Sequence, residues 1–181
     1  MSEHVSVLLQ EAIQGLDLSE GSVFLDCTYG AGGHTQLVCD TVKNVHVIAL
    51  DEDDQSISLG KKKLENSSCN VELVCSNFRD LDLVLKNKGV SQVDGILFDL
   101  GTSVDQIKNS GRGFTFEKDE PLLMNLGISD KDKVTARDAL NNWSPETLTE
   151  ILTAYSDEKY AWRIAKEIVR SREIKPIETT F

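Results

Sequence analysis

The chain has 181 residues, a formal net charge of −11, 40% hydrophobic and 27% charged residues. That balance belongs to a globular protein of one domain, or of one domain with an insertion. No apolar run approaches the ~18 residues of a membrane span, and the acidic balance excludes a broad electrostatic grip on nucleic acid, which needs clustered Lys and Arg. The opening Met1-Ser2-Glu3-His4 has neither the basic flank and apolar core of a signal peptide nor the arginines of a transit peptide. A cytoplasmic location is therefore expected, with the mitochondrial matrix as the alternative. Cys27, Cys39, Cys69 and Cys75 show no C-x-x-C spacing, so reduced thiols are expected rather than zinc ligands or disulfides.

In chain order, Leu8, Leu9, Ala12, Ile13 and Leu16 form a helical stripe that leads into the first strand. Strands are predicted at 23–26, 45–50, 71–75 and 93–98, with helices near 34–43, 54–66 and 79–88. Within the second of these helices, Lys61-Lys62-Lys63 reads as a solvated face. This alternation predicts an α/β fold with a doubly wound parallel sheet, which binds ligands beyond the carboxyl ends of its strands. The strand ends carry Asp26, Asp51, the Asn77-Phe78 pair and Asp99 as candidate contacts. Residues 101–133 show little periodicity and read as a long functional loop. Ser144-Pro145-Glu146 then starts a helix with Leu148, Ile151, Leu152 and Tyr155 on its apolar face. A last helix, near 157–173, sets Ala161, Ile164, Ala165, Ile168 and Val169 on one side and Lys159, Arg163, Lys166, Arg170 and Arg172 on the other. The expected division is a cofactor-binding core over 1–100 and a loop-and-helix substrate-recognition segment over 101–181.

The densest signal is Phe24-Leu25-Asp26-Cys27-Thr28-Tyr29-Gly30-Ala31-Gly32-Gly33-His34, followed by the strand Val45–Leu50 and then Asp51. Strand, glycine turn, helix, strand and terminal carboxylate make a nucleotide-binding βαβ unit. The glycines admit a ligand close to the backbone, and Asp51 can accept hydrogen bonds from both ribose hydroxyls. A dinucleotide fingerprint needs G-x-G-x-x-G, but its third glycine falls on Thr35, and neither the loop nor the next eight residues carry Lys or Arg. A cofactor with a ribose and no phosphate fits better, and S-adenosylmethionine is the common one.

Four motifs together resemble the ribosomal RNA small-subunit methyltransferase H family, also called MraW. His4-Val5-Ser6-Val7-Leu8-Leu9-Gln10-Glu11 is similar to the family's H-x-P-V-L-L-x-E opening, and Asp26 to Thr35 to its glycine loop. The third runs from Asp94-Gly95-Ile96-Leu97-Phe98-Asp99-Leu100-Gly101-Thr102-Ser103-Val104-Asp105-Gln106 to Arg112-Gly113-Phe114-Thr115-Phe116. The fourth spans Tyr155 to Thr180, so the four cover nearly the whole chain in order. The resemblance implies a Rossmann-like class I methyltransferase sheet, of which about four strands are present here. It implies S-adenosylmethionine as cofactor and a small-subunit ribosomal RNA cytidine, methylated at N4, as substrate.

Cofactor contacts would be Gly32, Gly33 and His34 at the loop, Asp51 at the ribose, Phe78 beside the adenine, and Asp99 and Gln106 near the methionine end. Ser103, Arg112 and Phe114 would meet the substrate. Without the family, Phe78 reads equally as core and Gln106 as an ordinary loop residue. The N4 lone pair of cytosine is delocalised into the ring, so an acceptor on the amino protons would turn it toward the sulfonium methyl, with in-line positioning supplying most of the rest. Asp99 is the candidate for that catalytic role, or contacts the cofactor alone. No metal or covalent nucleophile is implied.

The chain departs from the family on the substrate side. The pattern D-G-P-L-D-M-R-M-D reads Asp119-Glu120-Pro121-Leu122-Leu123-Met124-Asn125-Leu126-Gly127, and D-L-G-x-S-S ends in Val104. An Arg replaced by Asn125 loses charge and geometry for a phosphate or base contact. Family members also continue past the segment that ends here at Phe181, toward a seven-stranded sheet. A truncated or divergent member is expected, with the fourth strand as a free edge that leads to a homodimer, is covered by the chain's own helices, or leaves the chain poorly stable. The alternative to an active enzyme is a catalytically silent relative that binds cofactor or RNA without methyl transfer. A nicotinamide dehydrogenase is disfavoured by Thr35 and by the lack of a catalytic His or Tyr-Lys constellation.

Overall fold

A computed structural model describes residues 6–65, 67, 69–127 and 134–181. The expected opening motif falls partly on residues 1–5, outside the described residues. Two compact units result. The first holds the chain up to Ser103 together with Leu126 and Gly127, and the second holds Val104–Asn125 and the described residues from Val134 to Phe181. The chain returns briefly to the first unit at Leu126.

In the first unit, β1 (Val23–Asp26), β2 (His46–Asp51), β3 (Asn70–Cys75) and β4 (Gly95–Leu97) form one parallel sheet in the order β3-β2-β1-β4. In register, Phe24 faces Val47 on one side and Gly95 on the other. The central strands β1 and β2 are apolar on both faces because helices cover both. Phe24, Val47 and Ala49 pack with Ile13 of α1 (Leu9–Gly15) and Val38 of α2 (Gly33–Thr41). On the opposite face, Leu25, Ile48 and Leu50 pack with Leu81, Val84 and Leu85 of α4 (Leu81–Asn87). Phe24, Leu25, Val47, Ile48 and Leu50 are wholly buried, each contributing about 1.5–3 kcal/mol. Between β2 and β3, α3 (Asp54–Leu64) is capped by Asp53, whose carboxylate accepts the Gln55 N–H at 3.1 Å. Lys61, Lys62 and Lys63 end α3 and are exposed, in keeping with the solvated-face reading. The sheet order leaves β4 outermost, with Ile96 exposed.

One cysteine expectation is overturned. Cys39, in the last turn of α2, and Cys69, just before β3, form a disulfide with their Cα atoms 5.6 Å apart. Their separation of 30 residues carries no signal in the sequence. The fold brings them together because α2 ends beside the start of β3.

In the second unit, the long loop contains a short helix, α5 (Val104–Asn109), that periodicity did not reveal. The loop beyond it is held by the end of the chain. Pro121 bridges Thr179 in antiparallel fashion, Leu122 N–H donates to the Glu178 carbonyl at 3.0 Å, and Thr180 N–H to the Glu120 carbonyl at 3.0 Å. Then come α6 (Ala136–Asn142), α7 (Pro145–Ser156) and α8 (Ala161–Ile174). A capping box between Thr135 and Asp138 starts α6, and Ser144 caps α7 with Pro145 at its first position, as expected. Three details of the amphipathic reading change, the first being that Ile164, expected on the apolar side of α8, is exposed. Tyr155, expected on the apolar face of α7, is 85% exposed. Arg172, expected with the other cations of α8, turns inward and donates to the Leu140 carbonyl of α6 at 2.7 Å, satisfying a C-terminal helix carbonyl.

Candidate active site

The glycine loop after β1 is tied to three strand ends by hydrogen bonds. Gly30 N–H donates to the Asp51 carboxylate at 2.6 Å, and Asp53 N–H to its other oxygen at 2.8 Å. Asp99 N–H, just past β4, donates to the Thr28 hydroxyl at 2.7 Å. Below them, Asp26 accepts from Thr28 N–H at 3.1 Å and from the Thr35 hydroxyl at 2.7 Å. Asp26 is buried, and burial raises its pKa above the ordinary carboxylate value, with the Thr35 and Thr28 hydrogen bonds opposing the rise. The candidate contact at the end of β1 is therefore a brace beneath the loop, because both its oxygens are spent on Thr28 and Thr35. Its neighbour Cys27 is pushed up to about 12, by burial first and by Asp26 second.

Steric fit accounts for the glycines. Gly32 has φ +78°, and a Cβ there would lie 2.5 Å from the Tyr29 hydroxyl oxygen. The Tyr29 ring also fills the space beside Gly60 of α3, where a Cβ would lie 2.5 Å from its Cε1. Tyr29 thus wedges the loop against α3, a role the sequence did not suggest.

His34 opens α2 with its ring buried, Nε2 lying 3.3 Å from the Val7 carbonyl and Nδ1 4.0 Å from the Asp99 carboxylate. The Asp99 side chain keeps 42% of its surface open, so a ligand can still reach the carboxylate. Asp51 is half-buried, its two oxygens accepting the Gly30 and Asp53 N–H groups. Phe78 lies in a short 3-10 turn, Phe78–Asp80, after β3 and is not core. Its ring meets Phe98 edge-on, with centroids 5.5 Å apart. Asn77, its neighbour, donates to the Glu52 carboxylate at 3.1 Å. Sequence reading missed Phe98, Thr28 and Thr35. The D-x-T spacing of Asp26 and Thr28 was the one local signal, since a carboxylate accepting the N–H two residues on is a standard turn.

The first unit therefore brings together Gly32, Gly33, His34, Asp51 and Asp99 around one loop, with Phe78 beside Phe98. Ser103 ends that unit. Gln106, in α5, and Arg112 and Phe114, in the loop beyond it, belong to the second. There Arg112 is 4% exposed and donates to the Asn125 carbonyl at 3.2 Å, while its own carbonyl accepts Met124 N–H at 2.8 Å. Gly113 N–H donates to the buried Glu120 carboxylate at 3.0 Å. Within its own unit Arg112 is thus held by the Asn125 carbonyl, and Phe114 is half-buried.

Comparison with known proteins identifies the family. The pattern of the MraW methylase family matches residues 1–181. Curated relatives include proteins called ribosomal RNA small subunit methyltransferase H. That of Caldicellulosiruptor bescii is 41% identical over 99% of this chain and 58% of its own length. That of Sulfurihydrogenibium sp. is 41% identical over 99% of this chain and 60% of its own. That of Brevibacillus brevis is 39% identical over 98% of this chain and 56% of its own. The chain thus spans somewhat over half the length of these relatives. A family match over every residue leaves one assignment: the chain belongs to the MraW methylase family.

Proposed function

We propose that this chain binds S-adenosylmethionine and methylates the N4 amine of a cytidine in small-subunit ribosomal RNA. The observation that carries the reading is the loop itself. Gly30 is tied to Asp51 and Thr28 to Asp99, so that the carboxylates at the end of β2 and just past β4, the strands on either side of β1, flank a glycine-lined turn with no Lys or Arg in it. The names of the relatives, ribosomal RNA small subunit methyltransferase H, support the substrate.

When bound, the cofactor supplies an electrophilic sulfonium methyl. The chain's residues then have separate tasks. Asp51, held by Gly30 and Asp53, accepts the ribose hydroxyls. Gly32, Gly33 and His34 line the turn, and Phe78 with Phe98 offers an aromatic wall for the adenine. Asp99, its backbone fixed by Thr28, accepts a hydrogen bond from the cytidine amine and so localises the N4 lone pair along the transfer line. Asp99, or solvent beside it, would take the surplus proton of the amine. The family resemblance further assigns Gln106 to the methionine end and Ser103, Arg112 and Phe114 to the substrate.

A second reading is favoured by the altered loop. Where the family pattern ends in Asp, this chain has Gly127, and a Cβ there would lie 3.1 Å from Glu52 Cγ. Together with Leu123 and Asn125, this fits a relative that binds cofactor or RNA without transferring methyl. The reaction would take place where ribosomes assemble, in the cytoplasm or the mitochondrial matrix. The exposed β4 edge supports a homodimer, and light scattering of the purified chain would show a monomer if that is wrong.

The deciding experiment is transfer of labelled methyl from S-adenosylmethionine to unmethylated small ribosomal subunits, followed by nucleoside analysis. Label in N4-methylcytidine, lost in Asp99→Ala and retained at a reduced level in Asp99→Asn, is the expected result. Cofactor binding without transfer, beside an active full-length relative, would establish the silent reading.

A further inference from the structure

On a chain of net charge −11, residues 159–175 carry six basic and two acidic side chains. Most of that charge lies on α8, a helix of 14 residues. Its inner stripe is Ala161, Ala165, Ile168, Val169 and Arg172, buried or half-buried. The helical period of 3.6 residues sets Trp162, Arg163, Lys166 and Arg170 side by side on the outer face. All four are exposed, and so is Tyr160 just before the helix, Trp162 at 43% and Tyr160 at 62%.

Two large aromatic rings left in solvent on a cationic helix need a reason, because each forgoes the burial free energy its surface would yield in a core. Their surroundings supply one. The Lys166 ammonium lies 4.8 Å from the Trp162 ring centroid, and the Arg163 guanidinium carbon 5.7 Å from that of Tyr160. Each ring is thereby held against a cation, and the pairs follow one another along a single face. Arg170 contributes less charge to this face, since Glu167 pairs with it at 2.8 Å.

We propose that this face of α8, formed by Tyr160, Trp162, Arg163 and Lys166, is a docking platform for single-stranded RNA. Bases stack on the rings while the two cations meet the adjoining phosphates. Such alternation of ring and cation is how proteins hold unpaired nucleotides with little sequence preference. Charge complementarity selects the ligand, because this face is cationic on a chain whose net charge is −11. An acidic peptide would use Lys166 and Arg163 but would gain nothing from the ring planes. The inference rests on the ribosomal RNA reading for its biological setting, but its test needs no methyl transfer.

The test is fluorescence anisotropy of the full chain with a labelled, unstructured pyrimidine-rich RNA 12-mer, across a salt series and without cofactor. Trp162→Ala is expected to weaken binding about tenfold with an unchanged salt slope, and Trp162→Phe to retain most of the affinity. Arg163→Ala/Lys166→Ala is expected to weaken binding and to lower the slope of log K against log salt by about 1.4, two contacts at roughly 0.7 each. These positions are exposed, so thermal midpoints should hold. Arg172→Ala, two residues past Arg170 but turned inward, should instead lower the midpoint and leave the salt slope alone. Absence of RNA binding, or equal affinity in all these variants, would overturn the platform. So would a dimer that the variants dissociate while RNA affinity is unchanged, which would make the face an interface between copies. A chain that binds RNA through α8 yet transfers no methyl would defeat the enzymatic reading and leave this one standing.

Discussion

The Gly30 backbone N–H and the Asp51 carboxylate meet at 2.6 Å, joining the loop after β1 to the end of β2. One carboxylate thus shapes the loop and, on the proposed function, holds the cofactor as well. Asp51→Ala should therefore do two kinds of harm. Loss of charge-assisted hydrogen bonds of about 1.5–3 kcal/mol predicts cofactor binding weakened roughly 10- to 150-fold. Asp51→Asn should recover little, because its amide would turn a donor toward either Gly30 N–H or Asp53 N–H. Calorimetric titration with S-adenosylmethionine reads the effect. An unchanged affinity in Asp51→Ala would mean that the ribose lies elsewhere.

Gly32 and Gly21 separate two reasons for a glycine. Both have positive φ, +78° and +81°, but only Gly32 faces Tyr29, while open space surrounds the position a Cβ would take at Gly21. Gly21→Ala should lose the backbone term alone, about 1–2 kcal/mol. Gly32→Ala should lose that and an overlap contribution of about 1–3 kcal/mol more. Urea melts of the two variants make the comparison. Equal losses would show that Tyr29 gives way freely and does not wedge the loop.

The sheet was legible in the sequence because its strands are short apolar runs, each ended by a turn, and the helices between them carry apolar stripes. α5 was not, having six residues and no stripe. α6 could have been read from Thr135-x-x-Asp138, a capping box with Asp in place of the usual Glu or Gln. In the site, the strand-end positions of Asp51 and Asp99 followed from topology alone. The roles of Asp26 and Arg112 did not, because a charged residue is buried or open according to partners far along the chain. For Asp26 that partner is Thr35, and for Arg112 it is the Asn125 carbonyl. The Cys39–Cys69 pairing is hidden for the same reason.

Arg112 offers a choice between two roles. Buried and bonded to the Asn125 carbonyl, it should act on the second unit's stability. Arg112→Ala is expected to destabilise by about 2–3 kcal/mol, and Arg112→Lys to restore little, since an ammonium lacks the guanidinium's planar fork. Chemical denaturation measures the loss, and RNA binding against salt measures the alternative. Intact stability with a salt slope reduced by about 0.7 would make Arg112 a phosphate contact instead.

Thiol labelling distinguishes the four cysteines. Cys39 and Cys69 are paired, Cys27 is buried with its pKa raised to about 12, and Cys75 is exposed with its pKa raised by burial and by Asp54, Asp51 and Asp53. The thiolate is the reactive form. At pH 8 the native chain should therefore label slowly, at Cys75 alone. Unfolding without reductant should expose two thiols, and reduction four. Because the bridge closes a separation of 30 residues, its reduction should lower stability by about 3–4 kcal/mol. Four reactive thiols in the unreduced, unfolded chain would show that the pair is open in solution.

Glu72 of β3 links stability to pH. Its carboxylate accepts from Lys88 and, at 2.7 Å, lies against His46 Nε2. The Lys88 hydrogen bond first, and that of His46 second, lower its pKa below the ordinary glutamate value. A carboxylate lowered in the folded state contributes its full stability above the unfolded value and loses it as pH falls through the folded one. Asp26 is shifted the other way, so its charged form opposes folding and its contribution improves as pH falls, masking Glu72 in the native chain alone. Subtracting the curve of Glu72→Gln from that of the native chain removes Asp26, which is common to both. With the Glu72 side chain 40% exposed, the difference should be modest, about 0.5–1 kcal/mol at pH 7. It should fall toward zero below the glutamate range in urea melts taken from pH 7 to 3. A difference that stayed constant across that range would assign the effect of Glu72→Gln to packing rather than charge.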